Sequence, residues 1–117
     1  MTASNQSDNL KNVFDEIAPR WYNRFHWTRF TGELSMLAEK WQKGRLLNLG
    51  CGHGAEFLPF KDGFELYGVD FSSGMLEQAR RYATKFKFTT RLAEADIRDL
   101  PYPDEYFDWS VSVATFH

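Results

Sequence analysis

The residues best placed to do chemistry are the glycines of the run Gly50-Cys51-Gly52-His53-Gly54, which closes the apolar stretch Leu46-Leu47-Asn48-Leu49. Glycine lets the chain turn sharply and brings backbone close to a ligand where a Cβ would clash. A helix that starts just after such a turn aims unpaired N–H groups and the positive end of its dipole into the loop. The G-x-G-x-G spacing is one residue tighter than the dinucleotide fingerprint, and no Gly-Lys-Ser/Thr ending makes it a P-loop. Twenty residues beyond Gly50 stands Asp70, at the carboxyl end of a second apolar stretch. In a doubly wound sheet that position faces the crevice, where a carboxylate accepts from both hydroxyls of a ribose. The competing reading is an acid beside the helix cap at Ser72. A second acid, Asp96, is followed by Ile97 at the end of a third stretch. A carboxylate there would accept from an exocyclic adenine amine while the adjacent N–H donates to a ring nitrogen; alone, it reads as a turn acid.

Those residues need strands and helices to hold them. Residues 1–8 read as a disordered tail. Leu10, Val13, Phe14, Ile17 and Ala18 follow the stripe of an amphipathic helix that Pro19 ends. The segment 20–30 mixes aromatic rings with Arg20, Arg24 and Arg29, and serves either as core or as a nucleic-acid contact. Thr31 is placed to cap a second helix with Leu34, Leu37, Ala38 and Trp41 as its buried stripe, and Gly44 to stop it. Strands are expected over Arg45–Leu49, Phe64–Asp70, Arg91–Ala95 and Phe107–Ala114. A short helix limited by Pro59 and a longer one capped by Ser72 or Ser73 fall between them; the stripe of the latter is Met75, Leu76, Ala79, Tyr82, Ala83 and Phe86. Strands alternating with helices predict a parallel α/β sheet with helices on both faces.

The composition agrees. The chain has 117 residues, enough for one small core, and its 17% aromatic content argues against disorder. Cys51 is the only cysteine, which excludes an intramolecular disulfide and a four-cysteine zinc site. No apolar run is long enough for a membrane helix and the N-terminus carries no signal-peptide pattern, so a soluble, cytoplasmic chain is expected. The formal net charge of −2 conceals local clusters, with Arg80, Arg81, Lys85, Lys87 and Arg91 basic and residues 94–108 mostly acidic. Such clusters serve a polyanion or are solvated helix faces.

With these residues in place, the stretch from Leu46 to His117 resembles a class I S-adenosylmethionine-dependent methyltransferase of the family called type 11. The matching pieces are LLNLGCGHG, GVDFSSGMLEQAR, AEADIRDLPYPDEYFD and SVSVATFH. The earlier VFDEIAPRW resembles the opening helix of these enzymes, and within the family the opening and the SVATFH ending look most like methyltransferases of a transfer RNA wobble uridine. The resemblance implies a Rossmann-like sheet of about four strands, with residues 9–44 as a helical lid and 45–117 as the cofactor-binding half. It implies that Gly50, Cys51, Gly52 and Gly54 underlie the methionine portion of S-adenosylmethionine, or of its product S-adenosylhomocysteine. Asp70 would then hold the ribose, Phe71 and Met75 lie against the adenine, and Asp96 and Ile97 read its edge. Ala114 would line the methionine side, with Trp21 and Arg24 in the lid.

Methyl transfer from a sulfonium depends mainly on alignment, so no catalytic base is assigned. His53 and Cys51 read as loop residues, His117 reads as a chain end, and isolated histidines with one cysteine make no metal site. The chain departs from the family pattern at Asn48, where an acid is usual. It also ends at His117, just past the expected fourth strand, where the family continues. In the expected strand order 3-2-1-4 that strand is an edge, and self-association through it, or a partner, is expected. Transfer RNA is the expected macromolecular partner. The other readings are a catalytically incompetent cofactor-binding fragment, a small-molecule methyltransferase and, less compatible with the glycine spacing, a nucleotide-dependent dehydrogenase.

Overall fold

The computed structural model describes residues 30–112. The expected first helix over residues 10–18, Trp21, Arg24, Ala114 and His117 lie outside the described residues. In chain order the described elements are α1 (Thr31–Trp41), β1 (Gly44–Leu49), a 3-10 helix (Ala55–Phe60), β2 (Phe64–Asp70), α2 (Ser73–Phe86), β3 (Thr90–Glu94) and β4 (Trp109–Val111).

The strands form one parallel sheet in the order β3-β2-β1-β4, as expected. In register, Asn48 lies beside Gly68 on one side and Val111 on the other, and Asp70 lies beside Glu94. Because paired residues share a face, Leu46, Leu66 and Val111 project together. They join Leu34, Phe57, Phe60 and Leu76 in the main core, so α1, the 3-10 helix and α2 all pack on this side. Gly68 makes that packing possible: a Cβ there would lie 2.7 Å from the Phe57 ring, 2.9 Å from Leu92 and 3.0 Å from Cys51 Sγ.

The opposite face, with Leu47, Tyr67 and Val69, is covered among the described residues by the β3–β4 connection rather than by a helix. Tyr102, Tyr106 and Phe107 all meet Tyr67 edge-on, at ring separations of 6.0, 5.7 and 5.0 Å. At the edge of that cluster, Glu65 bridges three strands by accepting from Arg45 Nε at 3.2 Å and Arg91 Nη1 at 2.8 Å. Its carboxyl is held below the usual range, chiefly by Arg91.

Four local expectations need correction. Thr31 is not the cap of α1: Phe30 holds the N-cap position with no side-chain cap bond, and its carbonyl accepts from Leu34 N–H at 2.9 Å. Gly44 does not stop that helix but opens β1. The turn falls on Gln42, at φ 68°, whose N–H donates to Ala38 O, while a Cβ at Gly44 would lie 2.8 Å from Asp108 Oδ2. β4 starts at Trp109, not Phe107, because the Asp108 side chain takes the ladder position ahead of it and accepts Arg45 N–H at 2.9 Å. Phe107 is thereby released to pack on Tyr67. β3 begins and ends one residue early, although Ala95 N–H still donates to Asp70 O at 3.0 Å. No described helix is long and apolar enough to cross a membrane.

Candidate functional site

In a parallel sheet every strand ends at the same pole, so the segments leaving β1, β2 and β3 lie side by side. These are Gly50–Gly54, Phe71–Ser72 and Ala95–Arg98. Three of the sequence-selected groups, the glycine loop, Asp70 and the Asp96–Ile97 pair, are therefore carried to one end of the molecule.

The glycine loop is tied down at its middle. Asp70 is buried, with 3% of its surface exposed, and its Oδ2 accepts the Gly52 N–H at 2.9 Å. Its Oδ1 accepts the Ser72 N–H at 3.0 Å. One carboxylate thus joins the turn after β1 to the start of α2. Both sequence readings of Asp70 placed it here; its direct structural work is to shape the loop and the helix start together. Ser72 then caps α2, its Oγ accepting Met75 N–H at 3.1 Å, which settles the choice between Ser72 and Ser73.

Gly50 and Gly52 have φ of 64° and 55°, and among the described residues nothing lies within 4 Å of where either Cβ would stand. The loop therefore offers open space where side chains would otherwise project, and that backbone conformation costs a non-glycine residue about 1–2 kcal/mol. Cys51 behaves differently from its neighbours. Its N–H donates to Val69 O at 2.9 Å and its side chain turns inward beside Gly68, 1% exposed. Burial pushes its thiol pKa well up, so Cys51 contributes backbone to the loop and no nucleophile. Gly54 turns the chain into the 3-10 helix, its carbonyl accepting Phe57 N–H at 3.0 Å.

The two apolar candidates after β2 separate. Phe71 is half-buried at the strand ends, whereas Met75 is fully buried on the inner side of α2. Asp96 and Ile97 form an exposed turn in which Asp99 N–H donates to Asp96 O at 2.9 Å, and the Ile97 side chain is 58% exposed. Arg98, which the motif reading passed over, grips Asp96. Its Nη2 donates to Oδ2 at 2.6 Å, its Nε to Oδ1 at 3.0 Å, and its backbone N–H to Oδ1 at 2.9 Å. Those bonds hold the Asp96 carboxyl down at about 2. The available signal was Arg98 itself, two residues on, at the spacing of a turn in which an aspartate side chain accepts the backbone N–H two residues later.

Asn48 is the other finding. It is fully buried in β1, two residues before Gly50, and among the described residues neither its Oδ1 nor its Nδ2 has a hydrogen-bond partner. A buried amide left in that state costs about 1–3 kcal/mol, a cost that a polar ligand or water at the site would offset. The open glycine loop and this amide, with Asp96 exposed at the neighbouring strand end, fit an adenosyl cofactor with an amino-acid arm. Among the described residues no group of His, Cys, Asp and Glu side chains could hold a metal ion.

The comparisons converge on one class. The family described as methyltransferase domain matches residues 47–117. The demethylmenaquinone methyltransferase of Thermus thermophilus is 39% identical over 87% of this chain and 50% of its own length. The tRNA (carboxymethyluridine(34)-5-O)-methyltransferase of Saccharomyces cerevisiae is 26% identical over 98% of this chain and 39% of its own. Among solved structures, the PH0226 protein of Pyrococcus horikoshii superposes with a TM-score of 0.62 at 33% identity, covering 70% of this chain and 37% of that one. The fold defines a Rossmann-like α/β protein whose glycine loop and selected carboxylates gather at the carboxyl ends of its strands. Within that class, the chain belongs to the methyltransferase domain family. It spans about half the length, or less, of the curated relatives it matches here.

Proposed function

We propose that this chain supplies the cofactor-binding half of an S-adenosylmethionine-dependent methyltransferase. The observation that carries the reading is the Asp70 carboxylate, which holds the open glycine loop and the start of α2 in one arrangement at the strand ends. When bound, the cofactor supplies a methyl group on a sulfonium. The chain's part is to bind and orient: the Gly50–Gly54 backbone and Asn48 toward the amino-acid arm, Asp70 toward the ribose, Asp96 and Ile97 toward the adenine. Phe71 supplies apolar surface between them. Met75 supports this wall from inside the core rather than touching a ligand. Alignment alone lowers the barrier of an in-line displacement by several kcal/mol, and no described residue is given a proton to move.

Calorimetric titration of the full chain with S-adenosylhomocysteine tests this. Saturable one-to-one binding is expected, and its absence would overturn the reading. Two acceptor classes have separate support. A quinone-type small molecule is favoured by the 39% identical relative. A wobble uridine of transfer RNA is favoured by the relative that matches 98% of the chain and by the arginines at 20, 24 and 29 among aromatic rings. Transfer of labelled methyl to demethylmenaquinol or to bulk tRNA decides between them. If RNA is the acceptor, the paired substitution R24A/R29A flattens the salt dependence of RNA binding; an unchanged slope removes that contact. Transfer to neither, with binding intact, favours a fragment that binds without catalysis. The outer edge of β4, unpaired among the described residues, is the proposed site of self-association, and a light-scattering mass of one chain would overturn that.

A further inference from the structure

We infer that Arg98 is a positioning residue that makes Asp96 selective for an amino-bearing purine over its oxo counterpart. The inference rests on the reading of Asp96 as the acceptor at the adenine edge. A carboxylate has about four acceptor positions. Arg98 occupies most of them: its backbone N–H and Nε bond Oδ1 at 2.9 and 3.0 Å, while Nη2 bonds Oδ2 at 2.6 Å with Nε shared at 3.2 Å. What remains is one acceptor position, on Oδ2, held in a fixed direction. That is the complement of a single N–H of an exocyclic amine and a mismatch for a carbonyl oxygen, which would meet the carboxylate lone pair to lone pair.

Stability does not account for the arrangement. The Asp96 and Arg98 side chains are 47% and 79% exposed, and ion pairs so open to water contribute little to folding. An exposed aspartate without its fork would turn among rotamers and offer either oxygen to water. The guanidinium is planar and presents its donors as a rigid pair, so it fixes orientation in a way an ammonium does not. The backbone bond from Arg98 N–H and the turn closed by Asp99 N–H on Asp96 O add two further restraints from the same four residues. Arg98 need not touch the purine.

The test is the affinity ratio of S-adenosylhomocysteine to S-inosylhomocysteine, its 6-oxo counterpart, measured by calorimetry on the full chain and on R98A, R98K and D96A. Expected are a clear adenosyl preference in the parent chain and its loss in D96A. In both R98A and R98K the ratio should shrink by roughly 3- to 10-fold, the scale of ordering one side chain on binding, while inosyl affinity stays unchanged. R98K keeps the charge without the fork, so a ratio restored by lysine would overturn the geometric role. So would an equal loss for both ligands in R98A. A ratio unchanged in R98A but abolished in D96A would overturn the inference and leave the Asp96 reading standing. A parent chain that binds both ligands equally, or neither, would overturn both.

Discussion

The Asp70 carboxylate and the Gly52 N–H, eighteen residues apart in sequence, meet at 2.9 Å in the interior and set the shape of the glycine loop. A second bond from the same carboxylate, to Ser72 N–H, passes that constraint to the start of α2. The D70A substitution leaves two inward-facing N–H groups without their acceptor. An unfolding free energy lower by about 1–3 kcal/mol is expected, from the cost of unsatisfied buried donors. S-adenosylhomocysteine affinity should fall at least tenfold in calorimetry under conditions where the variant stays folded. Unaltered affinity would show that the loop and the carboxylate are independent of the ligand.

Gly68 tests the packing beneath the site. A methyl group there would meet the Phe57 ring at 2.7 Å and Cys51 Sγ at 3.0 Å in the core, and the half-buried Leu92 at 2.9 Å. The G68A variant should lose about 1–3 kcal/mol in urea denaturation, the usual range for overpacking. Because Cys51 also carries the loop, its thiol should react faster with an aromatic disulfide reagent in the variant than in the parent chain. Unchanged stability would mean that the Phe57 ring moves aside without cost.

Asn48 gives a prediction of opposite sign. Leucine has the same heavy-atom branching and no polar atoms, so N48L removes an amide that has no partner among the described residues. Without ligand, the variant should be more stable by about 1 kcal/mol, since deleting an unsatisfied polar group relieves its desolvation cost. The rise in melting temperature that S-adenosylhomocysteine gives the parent chain should shrink in N48L. A destabilised variant with full ligand protection would place the partner of the amide elsewhere in the protein.

The Asp96 carboxyl should titrate in carbon-detected NMR near 2, against its ordinary value of 3.8, chiefly because Arg98 donates to it. A carboxyl depressed by folding contributes stability, small here because both side chains are open to water, that is present above its ordinary value and lost as the pH falls from there through about 2. In R98A the midpoint should return toward the ordinary value. The same titration seen unchanged in R98A would show that the pair does not form in solution.

Much of this was legible in the residues themselves. The strand pattern around Leu46–Leu49 and Phe64–Asp70, the Ser72 cap and the stripe from Met75 to Ala83 are local, and periodicity and capping report them directly. The order of the strands and the gathering of the glycine loop, Asp70 and Asp96 at one pole follow from a parallel sheet with a crossover at each step. Gly44 and Phe107 misled because their settings are not local. Gly44 reads as a helix stop, yet the requirement for glycine comes from Asp108 and Trp109, more than sixty residues on. Phe107 alternates correctly for a strand, yet the Asp108 side chain takes the ladder position ahead of β4 and Tyr67 provides a better place for the ring.

The sequence by itself determined which segments form strands and helices and which of their ends carry polar groups, because side-chain alternation and glycine placement are properties of short stretches. Only the tertiary structure decided what each polar group is doing. Whether Asp70 grips the Gly52 backbone, Cys51 and Met75 turn inward or Asn48 stays without a described partner depends on register and rotamer. Those are set where separate segments meet.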